Sequence, residues 1–145
     1  MQSKRNILLL MPSLAGGGAE RTLVNLLQKI DYGRYNIDLI VVSKTGPYVE
    51  HIPENVNVTY LIKNNFLARV GAFLHRKFNF KKFFEVKMNS LEKEYDVGVS
   101  FLDTNFTNLL FYTDNIKKRV AFIHSSYKTT ITMNASIDIS DIKIN

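Results

Sequence analysis

The 145-residue sequence contains no cysteine and no tryptophan, and it has only three prolines and three histidines. Without cysteine, the chain has no disulfide, no thiolate metal site and no cysteine nucleophile. Because the histidines are also scattered, we expect no metal. No apolar run approaches the roughly 18–20 residues that cross a membrane. The short run Ile7–Met11 is followed by no small-residue cleavage site, so we expect a cytoplasmic protein rather than a secreted one.

The remaining composition is typical of a globular domain, since 46% of the residues are hydrophobic and 22% are charged. No repeat or Pro/Gly/Ser linker divides the chain, and we treat residues 1–145 as a single domain. The net charge of +6 is concentrated between Lys63 and Lys87, where Glu85 is the only acid. Such a segment indicates an anionic ligand, a membrane surface or nucleic acid as a partner.

The apolar pattern predicts alternating strands and helices, because continuous apolar runs favour buried strands and a spacing of three and four residues favours helices. The predicted strands are Asn6–Met11, Tyr35–Ser43, Val56–Ile62, Asp96–Phe101 and Arg119–Ile123. The predicted helices are Ala19–Ile30, Asn65–Phe78, Phe80–Glu94 and Asn105–Tyr112. This order predicts an α/β sandwich with a mostly parallel sheet.

In a sheet of parallel strands, ligands bind outside the carboxyl ends of the strands. That rule selects four loops as the rim of a candidate site. They are Pro12–Gly18, Ser43–Pro47, Phe101–Asn105 and His124–Tyr127.

Three consecutive glycines, Gly16, Gly17 and Gly18, stand between the first predicted strand and the first helix. Glycine permits positive φ and close approach of backbone N–H groups, and the helix directs its positive end to the same place. A phosphate or diphosphate fits there, although a tight turn without a ligand would use the same residues. The pattern is not a Walker A loop, because no Gly-Lys-Ser/Thr follows. It is not a good dinucleotide fingerprint either, because Arg21 stands where the third spaced glycine should be.

The stretch Ser13–Arg21, with its Gly-Gly-Gly-Ala-Glu-Arg turn after a short apolar strand, resembles the opening of family 4 glycosyltransferases with the GT-B fold. His124 after an apolar strand, and Asp96–Phe101 followed by Asn105, are similar to two further landmarks of that family. The resemblance covers about residues 4–127. It implies a Rossmann-like three-layer sandwich that forms one half of a GT-B fold.

The family resemblance implies a retaining transfer, of the hexosyltransferase type, from a nucleotide-sugar to a saccharide or lipid-linked acceptor in bacterial surface-polysaccharide biosynthesis. It implies no cofactor besides the donor substrate. The chain would be the N-terminal, acceptor-side domain, and because a C-terminal donor-binding domain is absent, we expect the chain alone to be inactive. The alternative is a non-catalytic α/β module that binds a phosphorylated ligand or partner through the glycine loop.

The same resemblance implies roles for individual residues. His124 matches the catalytic histidine beside the donor sugar, Gly16 and Gly17 match glycines near the donor diphosphate, and Glu20 matches an acid close to the acceptor. The substrate-binding set is then Gly16, Gly17, Gly18, Glu20 and Asn105.

The segment Phe66–Leu91 combines phenylalanines with cations at helical spacing. Basic amphipathic helices of this kind bind anionic membranes, and we expect a peripheral position on the inner face of the membrane. The alternative is a buried phenylalanine face with a solvated cationic one. No nucleic-acid-binding motif is present, so we expect no nucleic-acid partner. The predicted membrane contacts are Arg69, Arg76, Lys77, Lys81 and Lys82.

Overall fold

The computed structural model describes residues 3–63, 80–102 and 104–122 of the chain. The described strands are β1 (Arg5–Met11), β2 (Tyr35–Ser43), β3 (Asn57–Ile62), β4 (Tyr95–Ser100) and β5 (Ile116–Ala121). They form one five-stranded sheet in the order β3-β2-β1-β4-β5, and every pairing is parallel. With β1 at the centre and successive strands added outward on each side, this is the strand order of a Rossmann-like fold.

The central strand β1 is buried on both faces, which explains its continuous apolar sequence. Leu8 and Leu10 belong to the hydrophobic cluster on one face of the sheet, whereas Leu9 and Met11 belong to the cluster on the other face. Successive side chains of a strand point to opposite faces, so a strand covered on both sides needs apolar residues throughout.

Helices cover both faces of the sheet, so the domain has the three layers that the sequence predicts. Helix α1 (Gly18–Lys29) packs on one face through Leu23 and Leu27. Helix α2 (Phe80–Asn89) packs on the other face through Phe84 and Met88. In each helix the two residues are four apart, so they share one side of the helix. The predicted Rossmann-like three-layer sandwich, of the kind that forms one half of a GT-B fold, is confirmed.

Two predicted helices differ from the observed elements. Helix α2 ends at Asn89 rather than Glu94. The Ser90 N–H still donates to the Val86 carbonyl, four residues back, whereas the Leu91 N–H donates to the Met88 carbonyl, three residues back, so the last turn tightens. The predicted helix Asn105–Tyr112 is a shorter 3-10 helix, Thr107–Phe111.

The hydroxyl of Thr104 accepts a hydrogen bond from the Phe106 N–H, and the hydroxyl of Thr107 accepts one from the Thr104 N–H. These bonds satisfy N–H groups at the N-terminal end of the segment, which have no acceptor within a helix.

The remaining elements are close to their predicted positions, except that β5 begins at Ile116, three residues before Arg119. The predicted helix Asn65–Phe78 lies outside the described residues. Within the described part of the chain, none of the helices has the length and apolar character needed to traverse a lipid bilayer.

Candidate functional site at the carboxyl edge of the sheet

The glycine loop connects the end of β1 to the start of α1, at the carboxyl edge of the sheet. Gly16 adopts φ 114°, a value that L side chains rarely adopt, and its backbone needs glycine. Gly17 caps the helix with an extended backbone, φ −76° and ψ 174°, and Gly18 is the first helical residue. Of these three glycines, therefore, only Gly16 is required by its backbone conformation.

The glycine loop is held in place by the loop that follows β2. The N–H of buried Leu14 donates to the Thr45 carbonyl at 3.0 Å, and the Tyr48 N–H donates to the Leu14 carbonyl at 3.4 Å. Gly46 lies between these bonds at φ 107°, and a Cβ there would overlap the Leu14 carbonyl. The two loops thus form one preorganised unit.

The sequence pattern places Gly46 within the rim loop Ser43–Pro47 but does not predict this structural role. The Gly46-Pro47 dipeptide at the carboxyl end of a buried strand is the signal that could have marked it. Pro47 begins a short 3-10 helix, Pro47–His51, and a Cβ on Gly16 would lie 3.6 Å from its ring.

Glu20 lies beside the N-terminus of α1. It is three residues after the helix cap, and a Cβ added to Gly17 would collide with its carboxylate. A negative charge at this helix end is favoured by the helix dipole. The same carboxylate would repel a phosphate that approached Gly17, so a phosphate there requires the Glu20 side chain to rotate away.

The loop after β4 carries Asn105, which is exposed. Two buried hydroxyls, those of Ser100 and Thr107, hold this loop at an oxygen–oxygen distance of 3.0 Å, and Ser100 also donates to the Leu102 carbonyl. Because β4 is parallel to β1 and paired with it, this loop leaves the sheet at the same edge as the glycine loop. The structure therefore brings Asn105 and the glycine loop to one edge, as the sequence predicts.

Several predicted site residues lie outside the described residues, among them His124, Arg69, Arg76 and Lys77. Lys82 is exposed on α2, and Lys81 belongs to the same helix. No group of three or more acidic or histidine side chains able to hold a metal ion occurs within residues 3–63, 80–102 and 104–122.

Tyr60, on the outer strand β3, has a pKa raised by burial. Lys44, which follows β2, places its Nζ 5.3 Å from the centre of the Tyr60 ring. A cation in this position is attracted by the face of the aromatic ring. The Tyr60 phenol stays neutral near pH 7, so the positive charge of this contact is that of Lys44.

The five-stranded parallel sheet and its covering helices define a Rossmann-like α/β domain, of the kind that forms one half of a GT-B fold. The chain is similar in structure to TcCGT1, which was crystallised in complex with UDP, with a TM-score of 0.52 and 15% sequence identity. The match covers 94% of this chain and 33% of TcCGT1, so the chain spans about a third of the length of that protein. At this identity the likeness shows the fold. No protein-family model and no curated protein matches the sequence.

Proposed function

We propose that the chain is the acceptor-side domain of a glycosyltransferase that moves a sugar from a nucleotide-sugar to a saccharide or lipid-linked acceptor. The observation that carries the proposal is the position of the Gly-Gly-Gly-Ala-Glu-Arg turn. It connects the central strand to α1 at the edge where parallel sheets bind ligands. The structural likeness to a protein crystallised with UDP supports a nucleotide-sugar as the donor.

The proposed reaction breaks the bond between the anomeric carbon and the donor phosphate oxygen. The nucleoside diphosphate leaves with the electron pair, and an acceptor hydroxyl oxygen bonds to the anomeric carbon and gives its proton to the departing phosphate oxygen. The glycine loop, with Gly16 and Gly17, faces the donor diphosphate in this proposal. His124 acts at the reaction centre, where a neutral imidazole can hydrogen-bond the sugar or stabilise developing charge.

Glu20 takes the acceptor side of the proposed site, together with Gly18 and Asn105. Its carboxylate lies over Gly17 and can accept a hydrogen bond from an acceptor hydroxyl. Because it would repel a phosphate at the same point, the Glu20 side chain rotates toward the acceptor when the donor diphosphate approaches Gly17. The family 4 assignment, retention of configuration and a role in bacterial surface-polysaccharide assembly belong to this proposal.

A separate donor-binding domain and an anionic membrane surface complete the proposed assembly. We propose that the cations at 69, 76, 77, 81 and 82 hold the enzyme near a lipid-linked acceptor. Lys82 is exposed on α2, as such a contact requires.

The proposal is tested by measuring glycosyl transfer from nucleotide-sugars by the chain alone and by the chain joined to a donor-binding domain. We expect no turnover by the chain alone and transfer by the joined protein. Glu20→Gln should lower kcat/KM for the acceptor, whereas Glu54→Gln, which changes an exposed acid before β3, should not.

Two results would contradict the proposal. Micromolar binding of a nucleotide-sugar by the chain alone would mean that the nucleotide site lies in this domain. Binding of inorganic pyrophosphate at the glycine loop, without transfer by the joined protein, would favour the non-catalytic module.

A further inference from the structure

A cleft of about 290 Å³ opens at the amino end of the sheet, on the edge opposite to the glycine loop. Its lining comes from the start of β2, the start of β3 and the segment that precedes β4. Two aromatic and three amide side chains contribute to it: Tyr32, Tyr35, Asn36, Asn55 and Asn57.

The cleft contains a buried carboxylate that is fixed in position. Asp38 is 7% exposed and lies on β2, within an otherwise apolar run. Lys93 donates to both of its oxygens at 3.1 Å, and the Tyr95 hydroxyl donates to Oδ2 at 2.6 Å. A carboxylate has about four acceptor positions. These three bonds therefore leave room for one further donor, and Asp38 lines the cleft from which it could come.

The charges around the cleft sum to one positive charge, because the Asp38 carboxylate is paired with Lys93 and Lys4 is a second cation in the lining. This charge repels a cation but does not exclude an anion. The ligand is selected by the open acceptor position of Asp38, which needs a hydrogen-bond donor such as a hydroxyl, and a fully ionised anion has none to offer.

The polar groups of the cleft suit a ligand that both donates and accepts hydrogen bonds. Asn55 and Asn57 each offer donors and an acceptor. Tyr32 and Tyr35 offer apolar rings, and the Tyr32 hydroxyl already donates to the Leu27 carbonyl. The volume lies at the lower limit of small-molecule sites, which begin at about 300 Å³. These features together suit a ligand of the size of a single hydroxyl-rich ring.

We propose that the amino-end cleft binds a neutral sugar unit, with Asp38 accepting from a hydroxyl and Asn55 and Asn57 bonding its neighbours. This site goes beyond the proposed transfer, since it lies at the other edge of the sheet. From Asp38 to Ser43 along β2 is about 16 Å at 3.3 Å per residue, more than one sugar ring spans.

The test titrates the 145-residue chain with methyl glycosides of glucose, galactose and N-acetylglucosamine, followed by NMR. We expect at least one glycoside to bind, and Asn55→Ala/Asn57→Ala to weaken it about tenfold or more. Both asparagines are exposed, so the fold should survive their replacement, and a thermal melt checks this. The matched control is Asn25→Ala, an exposed asparagine on α1, which should bind as the wild type does.

Three outcomes would overturn the inference. They are no binding of any glycoside by the wild type, binding that the double variant leaves unchanged, and binding of inorganic phosphate instead of sugars. The experiment uses neither a donor nor a second domain. If the proposed transfer is not observed, the proposal of a sugar site at the amino-end cleft still stands. If no glycoside binds, the transfer proposal still stands.

Discussion

Replacing Gly46 by alanine should destabilise the chain more than any other glycine-to-alanine change at the carboxyl edge. Gly46 has φ 107° and ψ 163°, a region of backbone space that is essentially restricted to glycine. An added Cβ would also overlap the Leu14 carbonyl and approach the Ala15 backbone. Backbone atoms cannot swing aside as the end of a side chain can, so the two loops must separate.

The magnitude follows from these two costs. Backbone strain of this kind costs about 1–3 kcal/mol, and overpacking costs a further 1–3 kcal/mol or so. We therefore expect Gly46→Ala to lower the free energy of unfolding by about 2–6 kcal/mol. Gly16→Ala should cost only the strain, about 1–3 kcal/mol, because the nearest atom would lie at an ordinary 3.6 Å.

Gly18→Ala is the matched control, because a Cβ there meets nothing within 4 Å and the residue is already helical. It should stabilise the chain by about 0.4–1 kcal/mol through the unfolded state. Equilibrium unfolding in urea gives the three free energies by linear extrapolation. A Gly46→Ala variant within about 0.5 kcal/mol of the wild type, or a Gly18→Ala variant as unstable as Gly46→Ala, would refute the reasoning.

Three further predictions concern function and pH. In the protein joined to a donor-binding domain, Gly17→Val should lower the rate of glycosyl transfer by about 100-fold, or about 2.7 kcal/mol. The new side chain displaces the Glu20 carboxylate and fills the loop. Near-normal turnover would show that the loop is only a turn. The chain should bind vesicles of anionic lipid less tightly as salt rises, and glutamine at Arg76, Lys77, Lys81 and Lys82 should abolish binding, whereas glutamine at Lys29 and Lys118 should not. Burial, followed by the hydrogen bond to Asp38, raises the pKa of Tyr95. Its stabilising contribution should therefore be complete below about pH 10 and decline as the pH rises further. Unfolding in urea between about pH 8 and pH 11 should show a shallower decline for Tyr95→Phe, and Tyr32 and Tyr60, whose pKa values burial also raises, should contribute to the decline that remains.

The centre of the sheet could be predicted from the sequence because β1 and β2 contain runs that are apolar on both faces. The predicted and observed bounds of β2 agree at Tyr35–Ser43, where a turn closed by Asp31 precedes the apolar run. The end of α2 could not be predicted in this way. The amphipathic pattern continues past Asn89, and tertiary bonds from Lys93 to Asp38 and from Asn115 to the Leu91 carbonyl draw the chain out of the helix.

The position of the glycine loop could be predicted, but not what holds it. The rule for parallel sheets places the loop at the carboxyl edge without any knowledge of side-chain contacts. The need for glycine at position 46 depends on the path of Leu14, which only the folded structure reveals. Asp38 did carry a sequence signal, since a single acid within a buried apolar strand requires a partner. Its partners, Lys93 and Tyr95, are more than 50 residues away and could not be identified from local pattern.

The two candidate sites should be energetically independent, because the sheet separates them. Residues more than about 7–10 Å apart without shared partners usually show additive effects, and Asp38 and the end of β2 are separated by about 16 Å. Combining Gly46→Ala with Asn55→Ala/Asn57→Ala should therefore give the sum of the separate changes in unfolding free energy, within about 0.5 kcal/mol. Sugar binding at the amino-end cleft should be the same in Gly46→Ala as in the wild type under conditions where both are folded. A larger coupling would mean that the loop after β2 transmits its displacement along the strand, and that the two edges act as one site.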